Sequence, residues 1–292
     1  MLRLIFIAAA CTLFFLQACN PPVRIRPRNV KTGLDSTFYA GIVEDARSVD
    51  LRKAQFLAKI KVGDLGVSLD CRYPDVLSYA TDRVRSLGGN LLVITEHKRN
   101  DVKSKCHLIK GDIYVVPSLE GMEGRIWWHS SRPLQRGDLR GSRDSFPSVT
   151  LLPLQTAITC RLGGDFFKEA IIRTETIFWC DSTCLPADAQ QVPAALRRAQ
   201  LHFDLAELHA RRLKAALAAI GPDLPALSGK FREMTARQQE LLRAEQVKLD
   251  AELSSKNAND VLARWETQTK TELADLAPYE RAIVVDLRKK KK

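Results

Sequence analysis

The stretch Leu196-Arg197-Arg198-Ala199-Gln200-Leu201-His202-Phe203-Asp204-Leu205-Ala206-Glu207-Leu208-His209-Ala210-Arg211 decides the reading of this chain. Leu196, Ala199, Phe203, Ala206, Ala210, Leu213, Leu217 and Ile220 recur every three or four positions, the buried stripe of a long amphipathic helix. Pro193 suits its first turn and Gly221-Pro222 ends it. Two more helices are predicted downstream. Residues 229–253 would bury Phe231, Met234, Leu241, Leu242, Leu249 and Leu253, and residues 259–276 would bury Val261, Leu262, Trp265, Leu273 and Leu276. Heptads are not sustained, so compact helical packing is expected rather than a coiled coil.

Upstream of Pro186 the periodicity changes. Residues 150–161 and 166–180 read as strands; the second carries Ile171, Ile172, Thr174, Thr176, Ile177 and Phe178, a β-branched and aromatic set. Trp127, Trp128 and Pro133-Leu134 open this region. Earlier still, Lys59-Ile60-Lys61-Val62 alternates as a half-buried strand does. Pro74 and Asp75 then start a helix that buries Val76, Leu77, Ala80, Val84 and Leu87. Gly88-Gly89 stop it, residues 91–95 form an apolar strand and residues 107–116 alternate again. The expected fold class is α+β: a small α/β sandwich, then strands followed by a mostly helical C-terminal half. The expected division is an N-terminal signal (1–18), an extended linker (19–35), the small module (36–117), a second domain (125–287, strands to about 185, helices 190–277) and a basic tail (288–292).

The 292 residues carry 45 Lys+Arg against 34 Asp+Glu, a net charge of +11, and 45% are hydrophobic. That apolar content excludes wholesale disorder, and 15 Gly with 13 Pro exclude collagen-like and low-complexity architectures. The basic excess is not gathered into a nucleic-acid-reading motif, and no nucleic-acid partner is expected. Arg288 to Lys292 form a tail that is either a solvated terminus or a contact for anionic lipid or polysaccharide.

The apolar run from Leu4 to Leu16 follows Arg3 and is shorter than the roughly 20 residues of a spanning helix, which reads as an export signal. It closes on Leu16-Gln17-Ala18-Cys19, which resembles the lipobox of bacterial lipoproteins; an uncleaved apolar anchor or an ordinary signal is the alternative. The resemblance implies lipidation at Cys19 and a membrane-anchored envelope protein. Asn20 after the cysteine implies the outer membrane. In an oxidising compartment Cys71, Cys106, Cys160, Cys180 and Cys184 are disulfide candidates, with Cys71 paired to Cys106 and one of the other three left over. Zinc held by Cys160, Cys180 and Cys184 is disfavoured, since zinc-knuckle spacings are missing.

Gly88-Gly89-Asn90, Ile94-Thr95-Glu96-His97, Ser104-Lys105-Cys106-His107 and Gly111-Asp112-Ile113-Tyr114 together resemble a small α/β module of bacterial envelope lipoproteins, some of them surface-stress sensors. The resemblance implies no chemistry. His97 and His107 are read as turn-proximal polar groups ahead of metal ligands.

The long helix resembles the core helix of a bacterial family of proposed zinc-dependent peptidases, a domain family of uncharacterised function, which reads His-Glu-Gln-x-His-Phe-Asp-Ile-Ala-Glu and then Ala-Arg. Downstream, Gln246, Leu249-Asp250-Ala251-Glu252 and Trp265-Glu266 parallel a second family segment. Two histidines at i and i+4 share a helical face and reach one zinc, while the neighbouring glutamate takes a proton from metal-bound water of pKa about 7. Here Arg198 replaces the first histidine and Ala199 the glutamate; only His202 remains. The family's later His-Gly aligns with Ser255-Lys256. A fixed guanidinium charge repels a cation. The resemblance therefore implies a degenerate domain without zinc or other cofactor, acting in binding or envelope structure with an envelope protein or peptide partner. Arg198 is expected at the vacated metal position, paired with Glu207 or Glu252. The rival is a zinc peptidase with substituted ligands, His202 with His209 and Glu207. A Cys–His hydrolase using His129 or His202, a serine hydrolase and an acid pair such as Asp181 with Asp188 find no supporting pattern.

Overall fold

The computed structural model describes residues 23–29, 31–35, 37–45, 49–63, 73–99, 107–141, 155–161, 169–186, 188–254 and 257–287, with backbone only over 155–161. The class is α+β. The chain divides into two compact units: residues 1–119 with 161–168, and residues 120–160 with 169–292.

In the first unit β1 (Val23–Pro27), β2 (Gly41–Val43), β3 (Gln55–Val62), β4 (Leu91–Lys98) and β5 (Leu108–Val115) form one sheet in the order β1-β3-β5-β4-β2. The helix α1 (Tyr73–Ser86) carries the chain from β3 to β4, and β5 runs antiparallel between these two. β4 lies between β5 and β2, and its run Leu91–Ile94 is buried throughout, as the apolar sequence predicts for an inner strand. Val76, Leu77, Ala80 and Val84 form the buried face of α1. Gly88 ends that helix at φ 74°, and a Cβ there would stand 2.5 Å from the Thr32 carbonyl oxygen, so only glycine fits.

One boundary is corrected. Part of the expected linker, Val23–Pro27, is a strand pairing antiparallel with β3 from Val23↔Val62 to Pro27↔Ala58. Val23 and Ile25 alternate with Arg24 and Arg26, a short period-2 signal that the flanking prolines obscure. An edge position tolerates Pro27, which has no N–H to donate.

In the second unit β6 (Arg125–Trp127) pairs with β9 (Ile177–Trp179), and β7 (Gln155–Arg161), β8 (Glu169–Glu175) and β10 (Ile283–Asp286) form a sheet in the order β10-β8-β7. Three helices follow the first strands: α2 (Val192–Ala218), α3 (Leu224–Leu253) and α4 (Ala258–Asp275). α3 starts a turn and a half earlier than the apolar pattern suggests, because Asp223 caps it by accepting from the Ala226 N–H at 2.9 Å. Ala170 and Ile172 of β8 pack with Leu213, Leu217 and Leu227 as the core between sheet and helices. α3 buries Leu227, Leu242, Gln246 and Leu249, while Leu241 is exposed, contrary to the sequence reading. Ile283–Asp286, not foreseen as a strand, closes the sheet edge against β8.

Among the described residues no helix is long and apolar enough to cross a membrane. The signal, Cys19 and the tail 288–292 lie outside the described residues, as do Cys71 and Cys106. The Cys160 side chain lies outside them too.

Candidate functional site

α2 carries the stretch that opens the sequence reading, and its polar side chains leave it in three directions. Towards α3, Arg198 Nε donates to Asp250 Oδ1 at 2.9 Å and Nη2 stands 2.7 Å from the same oxygen. His202, 1% exposed, places Nε2 3.0 Å from that oxygen. One carboxylate oxygen thus serves both the arginine and the histidine. Burial works to raise the Asp250 pKa, but the His202 hydrogen bond and the nearby Arg198 charge outweigh it, so the carboxyl stays below its ordinary range. Among the described residues His202 Nδ1 and both polar atoms of the buried Gln246 side chain have no hydrogen-bond partner.

The expected partner of Arg198 is corrected: it is Asp250, not Glu207 or Glu252. Nine residues along a helix advance about 13 Å, which takes Glu207 beyond reach. It turns instead towards the strands, accepting from Thr176 Oγ1 and Arg211 Nε, each at 2.9 Å. Glu252 lies two residues, about 200°, around α3 from Asp250. It faces α4, accepting from the Trp265 indole at 2.9 Å and from Arg264. Ala199 is buried at 1% exposure. Ser255 and Lys256 lie outside the described residues.

Further along the same seam, His209 is fully buried, with Nε2 3.1 Å from Glu245 Oε2 and Nδ1 2.6 Å from Gln238 Nε2. Its hydrogen bond is the leading cause that holds the Glu245 carboxyl below its ordinary pKa. Arg212 binds both Glu245, at 3.1 Å, and Glu272. His202, Glu207 and His209 therefore engage Asp250, Thr176 with Arg211, and Glu245 respectively, and do not converge. The donor set does not fit a divalent cation at the motif: a permanent cation already occupies the Asp250 oxygen that a metal would need.

No family model, curated protein or solved structure matches the chain.

Elsewhere Cys180 is buried and bonds no other cysteine among the described residues, and burial with the Asp138 carboxylate pushes its pKa up to about 12, which disfavours the nucleophilic thiolate. His129 Nδ1 is 2.8 Å from Ser131 Oγ, and Asp181 is engaged by Arg140 at 3.5 Å. In the first unit His97 and His107 do meet, with Nε2 and Nδ1 2.8 Å apart and the Tyr73 ring stacked on His97 at 4.3 Å. Sequence reasoning missed the Arg198–Asp250 contact; a carboxylate one turn from Gln246 was its available signal.

Removal of the guanidinium tests this arrangement. Arg198 and Asp250 are each 30% exposed, between the fully solvated pairs that contribute under about 1 kcal/mol and buried ones whose disruption costs about 3–5. Arg198→Ala should therefore cost roughly 1–2 kcal/mol, lowering the melting temperature of the helical unit by about 2–8 °C. Arg197→Ala, which breaks the more exposed pair with Glu266, should cost less. Equal Tm for wild type and Arg198→Ala in a calorimetric scan would remove the structural role assigned to Arg198.

Proposed function

We propose that this chain is a lipid-anchored cell-envelope protein whose helical unit is a peptidase-like domain without catalysis, acting in binding or envelope structure. One observation carries the reading: Arg198 sits on Asp250 Oδ1 beside His202, so a guanidinium does structurally what a metal ion would do between the two helices. The neighbouring position, where a general base would stand, is the methyl group of the buried Ala199. The anchored location rests on the Leu16-Gln17-Ala18-Cys19 motif behind the apolar run.

Two measurements test the two halves. The purified protein should contain no stoichiometric zinc and should leave casein uncut with or without chelator; bound zinc together with chelator-sensitive cleavage would overturn the non-catalytic reading. In cells fed a labelled fatty acid, the wild type should carry label in the membrane fraction and Cys19→Ser should carry none. Equal labelling of both would overturn the anchor.

A further inference from the structure

Leu139, Leu185, Leu253 and Leu262 wall a cavity of about 720 Å³ that Arg198 also lines, a size suited to a small organic molecule. We infer that this cavity binds a small apolar carboxylate of the medium-chain fatty-acid type, its head group on Arg198 and its tail along the leucine wall. The inference rests on the non-catalytic binding function and names the ligand class.

Charge comes first. Arg198 commits Nε and Nη2 to Asp250, and its Nη1 edge makes no bond among the described residues. Guanidinium edges take carboxylates through short charge-assisted hydrogen bonds. Among the described residues no Asp or Glu lines the cavity itself, and the Asp250 carboxylate holds Nε and Nη2 while leaving Nη1 to a ligand. Ala258, the first residue of α4, is also part of the wall.

Polarity then selects among anions. Beyond Arg198 the lining offers the neutral polar side chains of Thr183, Gln190 and Gln191 against a mostly apolar wall. A buried peptide needs a partner for each N–H and C=O, and this wall supplies too few. A fatty carboxylate needs one cation and apolar surface, which this wall does supply.

The test uses the full chain in phospholipid nanodiscs, irradiated with a diazirine analogue of decanoate, with adducts mapped by mass spectrometry. Adducts should fall on peptides carrying Leu185, Ala195, Leu253 and Leu262. Decanoate should displace the probe at roughly tenfold lower concentration than decanol, once both are matched for membrane partition. Ala195→Trp, which fills the cavity, should abolish labelling there. Absent or scattered adducts, or equal displacement by decanol, overturn the inference; the decanoate–decanol comparison is made on the wild type and does not depend on a variant folding. The outcome separates from that of the proposed function. Site-mapped labelling in a protein that also cleaves casein with zinc would sink the non-catalytic reading alone. No labelling in a protein without zinc or activity would sink this ligand alone.

Discussion

Arg211→Ala should unfold the helical unit at markedly lower denaturant, with a loss of about 3–5 kcal/mol. Arg211 is 2% exposed and every edge of its guanidinium is used. Nε donates to Glu207 Oε1 at 2.9 Å, Nη1 to the Leu273 carbonyl at 2.9 Å and Nη2 to Glu280 Oε2 at 3.0 Å. The Trp128 ring covers it at 4.9 Å. Truncation would leave Glu207, 5% exposed, with Thr176 as its remaining hydrogen-bond donor. Burial already raises the Glu207 pKa against the Lys214 and Arg211 charges, so losing the guanidinium would raise it further and weaken the charged form. Adding Glu207→Gln should return part of the loss, because an amide needs no counter-charge. Urea titration followed by circular dichroism measures both; a midpoint unchanged by Arg211→Ala would show that this network does not hold the unit together.

The second large effect is alkaline. Lys214, one turn further along α2, is 1% exposed, and burial lowers its pKa from 10.5 to about 8 despite the Glu207 charge. Its Nζ donates to the Glu280 carbonyl at 2.8 Å. Between pH 8 and 10.5 the unfolded chain holds this proton and the folded one does not, so stability rises with pH across that window. Below pH 8 both forms are protonated and the full penalty stands. A shift of this size corresponds to about 3 kcal/mol. Lys214→Met should remove that rise and gain stability at pH 7, since an apolar chain of similar volume needs no desolvation. Guanidinium unfolding of both proteins at pH 7 and pH 10 gives the difference; parallel pH curves would contradict the assignment.

Both predictions concern residues to which the sequence assigned no role, and the reason is geometric. Helical periodicity assigns a face to each residue of α2, so Leu213 and Leu217 were legible as core. It does not name what stands opposite. Arg211 and Lys214 fall on ordinary charged positions of the pattern, and their partners Trp128, Leu273 and Glu280 lie between 62 and 83 residues away in the chain. The strand Ile283–Asp286 was missed for a related cause: four residues carry too little periodicity, and their order comes from pairing with β8. Leu241 erred the other way, an apolar residue at helical spacing that stays 46% exposed.

The amino-acid order alone determined the α+β class, the helices and the strands β3, β4, β5, β7 and β8 within about five residues, and the placing of Arg198 one helical turn before His202, because these depend on local periodicity and side-chain chemistry. Tertiary structure alone decided that Arg198 meets Asp250, that Glu207 and Glu252 turn away to other partners, and that Lys214 is buried. The angle and register at which α3 and α4 cross α2 are set by packing summed over both helices, and no local stretch of sequence encodes that sum.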